Sequence, residues 1–249
     1  MKTNKAFLLA TLILLFSACK KSSEDPKEPV TVPVEFTETT YQTLGTFDEF
    51  GKPNYLAGRD VITSDLLSFI NTNLPQNKDL RNTNPQLLSN PPIADIVITR
   101  QSEVSVTYVS SETAFTEAFA FYTYPTGKPP ASAKDIKTIT YVFPNTGKGT
   151  TLQPGDKVKI GNFNSGTSIG FVLLENGWDA ETKTLNNKVV HFCSNDVLNP
   201  EVDIALKKHA VFIIYTPENK ILIGFENLDR TTPQCNHDFN DYVFYASVN

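Results

Sequence analysis

From Pro92 onward, apolar residues fall in short runs rich in β-branched and aromatic side chains, separated by Gly, Pro and Asn. Residues 93–98, 104–109 and 118–124 partly alternate apolar with polar positions, the two-residue period of a half-buried strand. Pro125, Gly127, Pro129 and Pro130 close this group. Further strands are predicted over 136–143, 157–163, 168–174, 188–192, 210–215, 221–225 and 242–248. About ten short strands with turn residues between them, no recurring long helix and no fixed-period repeat predict an all-β, jelly-roll-like β-sandwich.

Ahead of these strands the pattern is mixed. Residues 41–54 carry Gly45, Gly51 and Pro53 and have turn chemistry, whereas 64–70 offer Ser64 as an N-cap followed by apolar residues at helical spacing. A short helix is expected there, stopped by Asn73 and Pro75, followed by a loop-rich passage through Asn84, Pro85, Asn90, Pro91 and Pro92. Residues 38–92 have too little apolar content for a core of their own. They are expected to form a partly helical lead-in packed on a sandwich that occupies 93–249.

The first residues follow a different pattern. Lys2 and Lys5 precede the apolar run 6–16, and Ser17-Ala18-Cys19 follows it. This is the layout of a secretory signal, too short for a permanent membrane span. The ending FSAC resembles a lipobox, with Phe16 in place of the usual Leu, so residues 1–18 are expected to be removed and Cys19 lipidated. Acyl chains contribute about 0.8 kcal/mol per buried methylene, so several of them anchor stably. Residues 19–37 are charged, contain proline and lack apolar periodicity, which reads as a flexible tether.

Composition narrows the partners. Hydrophobic residues make up 40% of the chain and include 17 Phe, ample for a core, while a formal charge of −5 and a pI near 5.3 supply no basic field for nucleic acid. The acidic groups concentrate near the C-terminus, in the segment GFENLDRTTPQCNHDFNDYVFYASV. Glu226, Asp229, Asp238, Asn240 and Asp241 lie between the apolar runs 221–225 and 242–246, with Phe225 and Phe239 as inward anchors. Crowded carboxylates repel one another unless a cation or hydrogen-bond donors relieve them, and hard cations such as calcium take oxygen ligands. If the loop folds back as a hairpin, these oxygens converge. The alternative is an acidic turn whose Asp and Asn cap their own backbone. The spacing is not that of an EF-hand.

GFENL and DFNDYVF, together with TYVSSETAF at 107–115, FYTYPTGKPP at 121–130, VFPNTG at 142–147, PGDKVKIGNFNSGTSIGFVLLENGW at 154–178 and LNPE before His209, resemble the LruC-type family of bacterial surface lipoproteins over roughly 95–249. The resemblance implies a β-rich envelope domain of largely unknown function, in which the acidic signature recurs as a block. It supports a calcium site and an outer-membrane lipoprotein, facing either the surface or the periplasm.

Other constellations are less specific. With Cys19 lipidated, Cys193 and Cys235 remain in an oxidising compartment, where one disulfide is the plain expectation and free thiols the next. Zinc held by His191, Cys193, Cys235 and His237 is disfavoured by the single-residue gap within each pair. Tyr122, Tyr124 and Trp178 are either flat platforms for sugar rings or core residues. No nucleophile elbow, metalloprotease helix or phosphate-cradling loop is present. Glu112 and Glu117 form a carboxylate pair of a kind that arises by chance, and His209 reads as a strand-entry residue rather than a base. The sequence therefore predicts a non-catalytic, lipid-anchored envelope module, calcium-stabilised, that binds a glycan or a protein. The rival readings are an envelope glycosidase or other polysaccharide hydrolase, and a purely structural surface protein.

Overall fold

Strands that are largely apolar and buried on both faces build two sheets that face each other. The computed structural model describes residues 31–89 and 95–249, so the signal segment, Cys19 and the tether up to residue 30 lie outside the described residues. The strands, numbered in chain order, are β1 (Thr40–Thr43), β2 (Ile96–Ile98), β3 (Ser102–Ser111), β4 (Ala118–Pro125), β5 (Thr138–Phe143), β6 (Lys157–Phe163), β7 (Thr167–Leu174), β8 (Trp178–Asp179), β9 (Thr184–Leu185), β10 (His191–Cys193), β11 (Ala210–Tyr215), β12 (Lys220–Phe225) and β13 (Tyr242–Val248). One sheet runs β1-β5-β4-β7-β10, with β2 also paired to β7. In it β1 joins β5 in parallel, and the other pairings are antiparallel. The second sheet is antiparallel throughout, in the order β11-β12-β13-β3-β6. Strands β8 and β9 form a small separate hairpin.

The inner faces meet through aromatic rings. Phe119 of β4 stacks on Phe244 of β13 with centroids 3.9 Å apart, and on Phe171 of β7 at 5.4 Å. Phe143, Ile169, Phe212, Ile223 and Phe225 fill the space around them and are buried. This is the all-β sandwich, preceded by a short helical stretch.

Each outer face is covered as well. Helix α1 (Ser64–Asn73) and the single turn α2 (Leu80–Thr83) lay Leu66, Ile70, Leu74 and Leu80 on Val109, Val211, Leu222 and Val243 of the antiparallel sheet. The helix begins one residue earlier than its sequence suggests. Thr63 is the N-cap, its Oγ1 accepting from Leu66 N at 3.2 Å, and Ser64 is already helical. On the other sheet Phe36 and Tyr41 pack against Ala120, Tyr141, Val172 and Cys193.

Candidate metal centre

The site is built where β12 ends and β13 begins. Glu226 follows β12 directly and is held at its main chain by His209: Glu226 N donates to His209 O (2.9 Å), and His209 Nδ1 donates to Glu226 O (3.0 Å). Asp241 precedes β13. Its Oδ2 accepts from Asn227 N (2.9 Å), and its carbonyl accepts from Glu112 N (2.8 Å). Between them the loop folds back over β12. Gly224 permits this, because a Cβ there would meet Phe239 O at 2.4 Å and Leu74 Cδ1 at 2.6 Å. Asp238 sits between His237 and Phe239, both at φ 58°, a left-handed conformation that costs energy for bulky residues. Its Oδ2 accepts from Asn77 N (2.7 Å) and Asn236 Nδ2 (2.8 Å), and its Oδ1 accepts from Asn240 N (3.3 Å).

Oxygens of Glu226, Asp238 and Asp241 lie within 4.8 Å of one another. Glu226 and Asp238 are almost wholly buried, at 1% and 0% exposure, and Asp241 is half-buried. Glu226 Oε2 is enclosed yet has no hydrogen-bond partner among the described residues. A buried acceptor left unpaired is costly and calls for a donor or an ion. Burial, reinforced by the Asp241 and Asp238 charges, pushes the Glu226 carboxyl well above the usual carboxylate range. Burial raises Asp238 and Asp241 too, against the hydrogen bonds that favour their charged forms. An all-oxygen, anionic donor set of this kind can coordinate a divalent cation.

Of the five oxygen-bearing residues expected to converge, the structure brings together these three. Asp229 lies apart, its Oδ1 accepting from Thr231 N (2.8 Å) and Thr231 Oγ1 (2.6 Å) in a self-capped turn. Asn240 turns its amide away to donate to Leu74 O (3.2 Å). The expected Cys193–Cys235 bridge is absent. Cys193 is a free thiol on β10, packed among Ala120, Tyr122 and Val172, whereas Cys235 is a free thiol in the acidic loop with Sγ 3.2 Å from His237 Nδ1. Burial pushes both thiols up, so both are protonated at neutral pH. His191 belongs to neither cysteine's loop chemistry: its Nδ1 donates to Val189 O (2.8 Å) and its Nε2 accepts from Tyr41 OH (2.7 Å). The stacking platforms are corrected likewise. Tyr122 and Trp178 are 1% and 2% exposed and serve as core residues, while the half-buried Tyr124 donates its hydroxyl to Asp95.

Sequence reasoning missed the residues that support the cluster. Asn227 ties it to Glu117: its N–H holds Asp241, while its Nδ2 donates to Glu117 Oε1 (2.9 Å) and to Thr113 Oγ1 (2.8 Å). Glu117 is fully buried and also accepts from Tyr242 OH, so it belongs to the wall of the site. His209 Nε2 lies 2.7 Å from Glu201 Oε1, both side chains wholly buried, and Phe192 stacks on the imidazole at 4.1 Å. His209 is thus an interior support of Glu226. Asn77 and Leu74 come from the helical lead-in, and no local pattern in the sequence links them to residue 238. A separate concavity of about 610 Å³, lined by Glu35, Phe36, Tyr41, Lys188, Val189 and His191 among others, contains none of the three clustered carboxyls.

Fold and site together define an all-β sandwich with a buried tri-carboxylate cluster between two neighbouring strands. A family model described as a domain of unknown function, DUF4114, matches residues 163–249, from the end of β6 through β13, and the whole acidic loop falls inside the match. This match overturns the resemblance to the LruC-type family, and with it goes that resemblance's support for an outer-membrane lipoprotein. No curated protein and no solved structure matches the chain. The folded unit is larger than the matched stretch, since β13 pairs with β3 and β7 pairs with β4.

Proposed function

We propose that the protein is a non-enzymatic binding module in which calcium, held by Glu226, Asp238 and Asp241, stabilises the β12–β13 connection. The observation that carries this reading is the buried Glu226 carboxyl, whose Oε2 has no hydrogen-bond partner among the described residues, clustered with two further carboxyls. Calcium fits better than zinc because the donors are all oxygen, and better than magnesium because carboxylates on a loop accommodate the larger, irregular calcium shell. Backbone carbonyls or water would complete the coordination. The partner proposed is a glycan or a protein, supported by the sandwich architecture and the mixed polar and apolar cavity beside Tyr41 rather than by an aromatic platform. Export and a tether through Cys19 are also proposed, on the pattern of the first nineteen residues alone. A Cys19→Ala variant that remained processed and membrane-bound like the parent would remove the tether from the proposal.

Calorimetric titration of calcium into the chelator-treated protein tests the site. Binding heat and a melting temperature raised by calcium are expected. At a hundredfold excess over Kd the stabilisation amounts to about 2.7 kcal/mol. Asp238→Ala and Asp241→Ala should abolish both signals. Identical melting in calcium and in chelator, with no binding heat, would reduce the loop to a self-capped acidic turn.

A further inference from the structure

The helical lead-in and the cation loop share three hydrogen bonds, all within residues 74–80 on the helical side. Asn77 N donates to the free-loop carboxylate Asp238 (2.7 Å), Asn240 Nδ2 donates to Leu74 O (3.2 Å), and Leu80 N donates to His237 O (2.9 Å). Asn77 itself adopts φ 54°, so the connector between α1 and α2 is bent to present its N–H to the carboxylate. The three ligands are not equally anchored. Glu226 is fixed by the β12 ladder and His209, and Asp241 by Asn227 and the β13–β3 ladder. Asp238 stands within the loop between two left-handed residues; its carboxylate accepts from Asn236 and Asn240, two residues to either side, and its one partner outside the loop is Asn77.

We infer that the cation locks the α1–α2 arm onto the sandwich through Asp238, so that calcium controls how tightly this arm covers the outer face of the antiparallel sheet. The inference rests on the calcium reading above. Without the cation nothing draws the three carboxyls, within 4.8 Å of one another, onto a common centre, and Asp238, which stands on the loop and not beside a strand, is the member whose backbone can shift. Its departure breaks the bond to Asn77 and shifts His237 and Asn240, whose bonds hold Leu80 and Leu74. The arm then keeps only its apolar contacts, and the sheet face it covers, Val109, Val211, Leu222 and Val243, becomes intermittently accessible as an apolar surface. Linkage makes the effect reciprocal: whatever loosens the arm weakens the cation.

Hydrogen exchange followed by mass spectrometry, on the full chain at one pH in calcium or in chelator, tests this. If opening of the arm abolishes binding, calcium at a hundredfold excess over Kd slows exchange of amides 66–80 by up to about 100-fold. Amides of β1, a short exposed edge strand of the other sheet that exchanges by local fraying, should keep their rates. Asp238→Asn, which keeps an acceptor for Asn77 but removes the charge, should fold and show calcium-independent arm exchange. Calcium heat by calorimetry with unchanged arm exchange would overturn the lock and leave the site standing. No calcium heat would remove both. Equal slowing in β1 and in the arm would overturn the lock by showing only global stabilisation.

Discussion

Single carboxylates set the pH response. Burial is the largest influence on Glu117 and pushes it up to about 7, although Tyr242 and Asn227 donate to it. A carboxyl with a raised folded pKa contributes stability fully below its usual 4.5 and loses it as pH rises through about 7. In saturating calcium, the protein should therefore lose stability between pH 5 and pH 8. Glu117→Gln should shrink that loss by up to about 3 kcal/mol, as read by urea unfolding at the two pH values. An unchanged pH slope in the variant would show that Glu117 is charged throughout. The cluster follows the same sign, since Glu226, Asp238 and Asp241 are all raised. Protons and calcium compete there, so calcium affinity should rise with pH. At this scale the sequence was informative where ligands share one loop, because crowded acids between two strands must be relieved somehow. It overreached at Asp229, where Thr231 supplies that relief locally. It was silent on Asn77, whose role depends on a left-handed backbone and on a contact made across most of the chain.

Elements carry the loop into place, and two of them can be tested directly. Gly224 lets the Phe239 carbonyl cross β12, so Gly224→Ala should cost about 1–3 kcal/mol in urea unfolding and reduce calcium affinity as the loop is forced outward. Thr63 caps α1 and also donates to Glu218 Oε1 at 2.7 Å. Thr63→Ala should cost about 1 kcal/mol, with exchange of α1 amides accelerated more than that of β12. The long strands were legible because β-branched and aromatic runs of that length need a sheet on at least one side. Strand β1 was not, since Thr40–Thr43 lies amid turn residues and becomes a strand by parallel pairing with β5. Strand β10 came out shorter than its apolar run, as Lys188 to Val190 form the loop beside Phe36 and only His191–Cys193 meet β7. The β8–β9 hairpin is held by Trp178, whose burial against Phe47 at 5.5 Å depends on the lead-in and not on neighbouring sequence.

At the scale of the molecule, stability rests on the aromatic stack between the sheets. Phe244→Ala would remove the partner of Phe119 and should cost about 3–5 kcal/mol. Because no bridge links Cys193 to Cys235, intact mass should not change on reduction, and the two buried thiols should react with a thiol reagent only after unfolding. The sandwich class was readable from strand count and spacing, whereas the pairing order was not, because strands distant in sequence meet in both sheets. That order gives β13 a particular place. It is the middle strand of the antiparallel sheet, between β12 and β3, and pairs Val104 with Val248. Until it arrives, β3 and β12 face each other across a missing strand, so the stacking of Phe244 on Phe119 waits on a long-range closure whose loop entropy must be overcome first. Deleting 242–249 should accordingly leave an aggregation-prone, proteolysis-sensitive chain rather than a smaller stable domain.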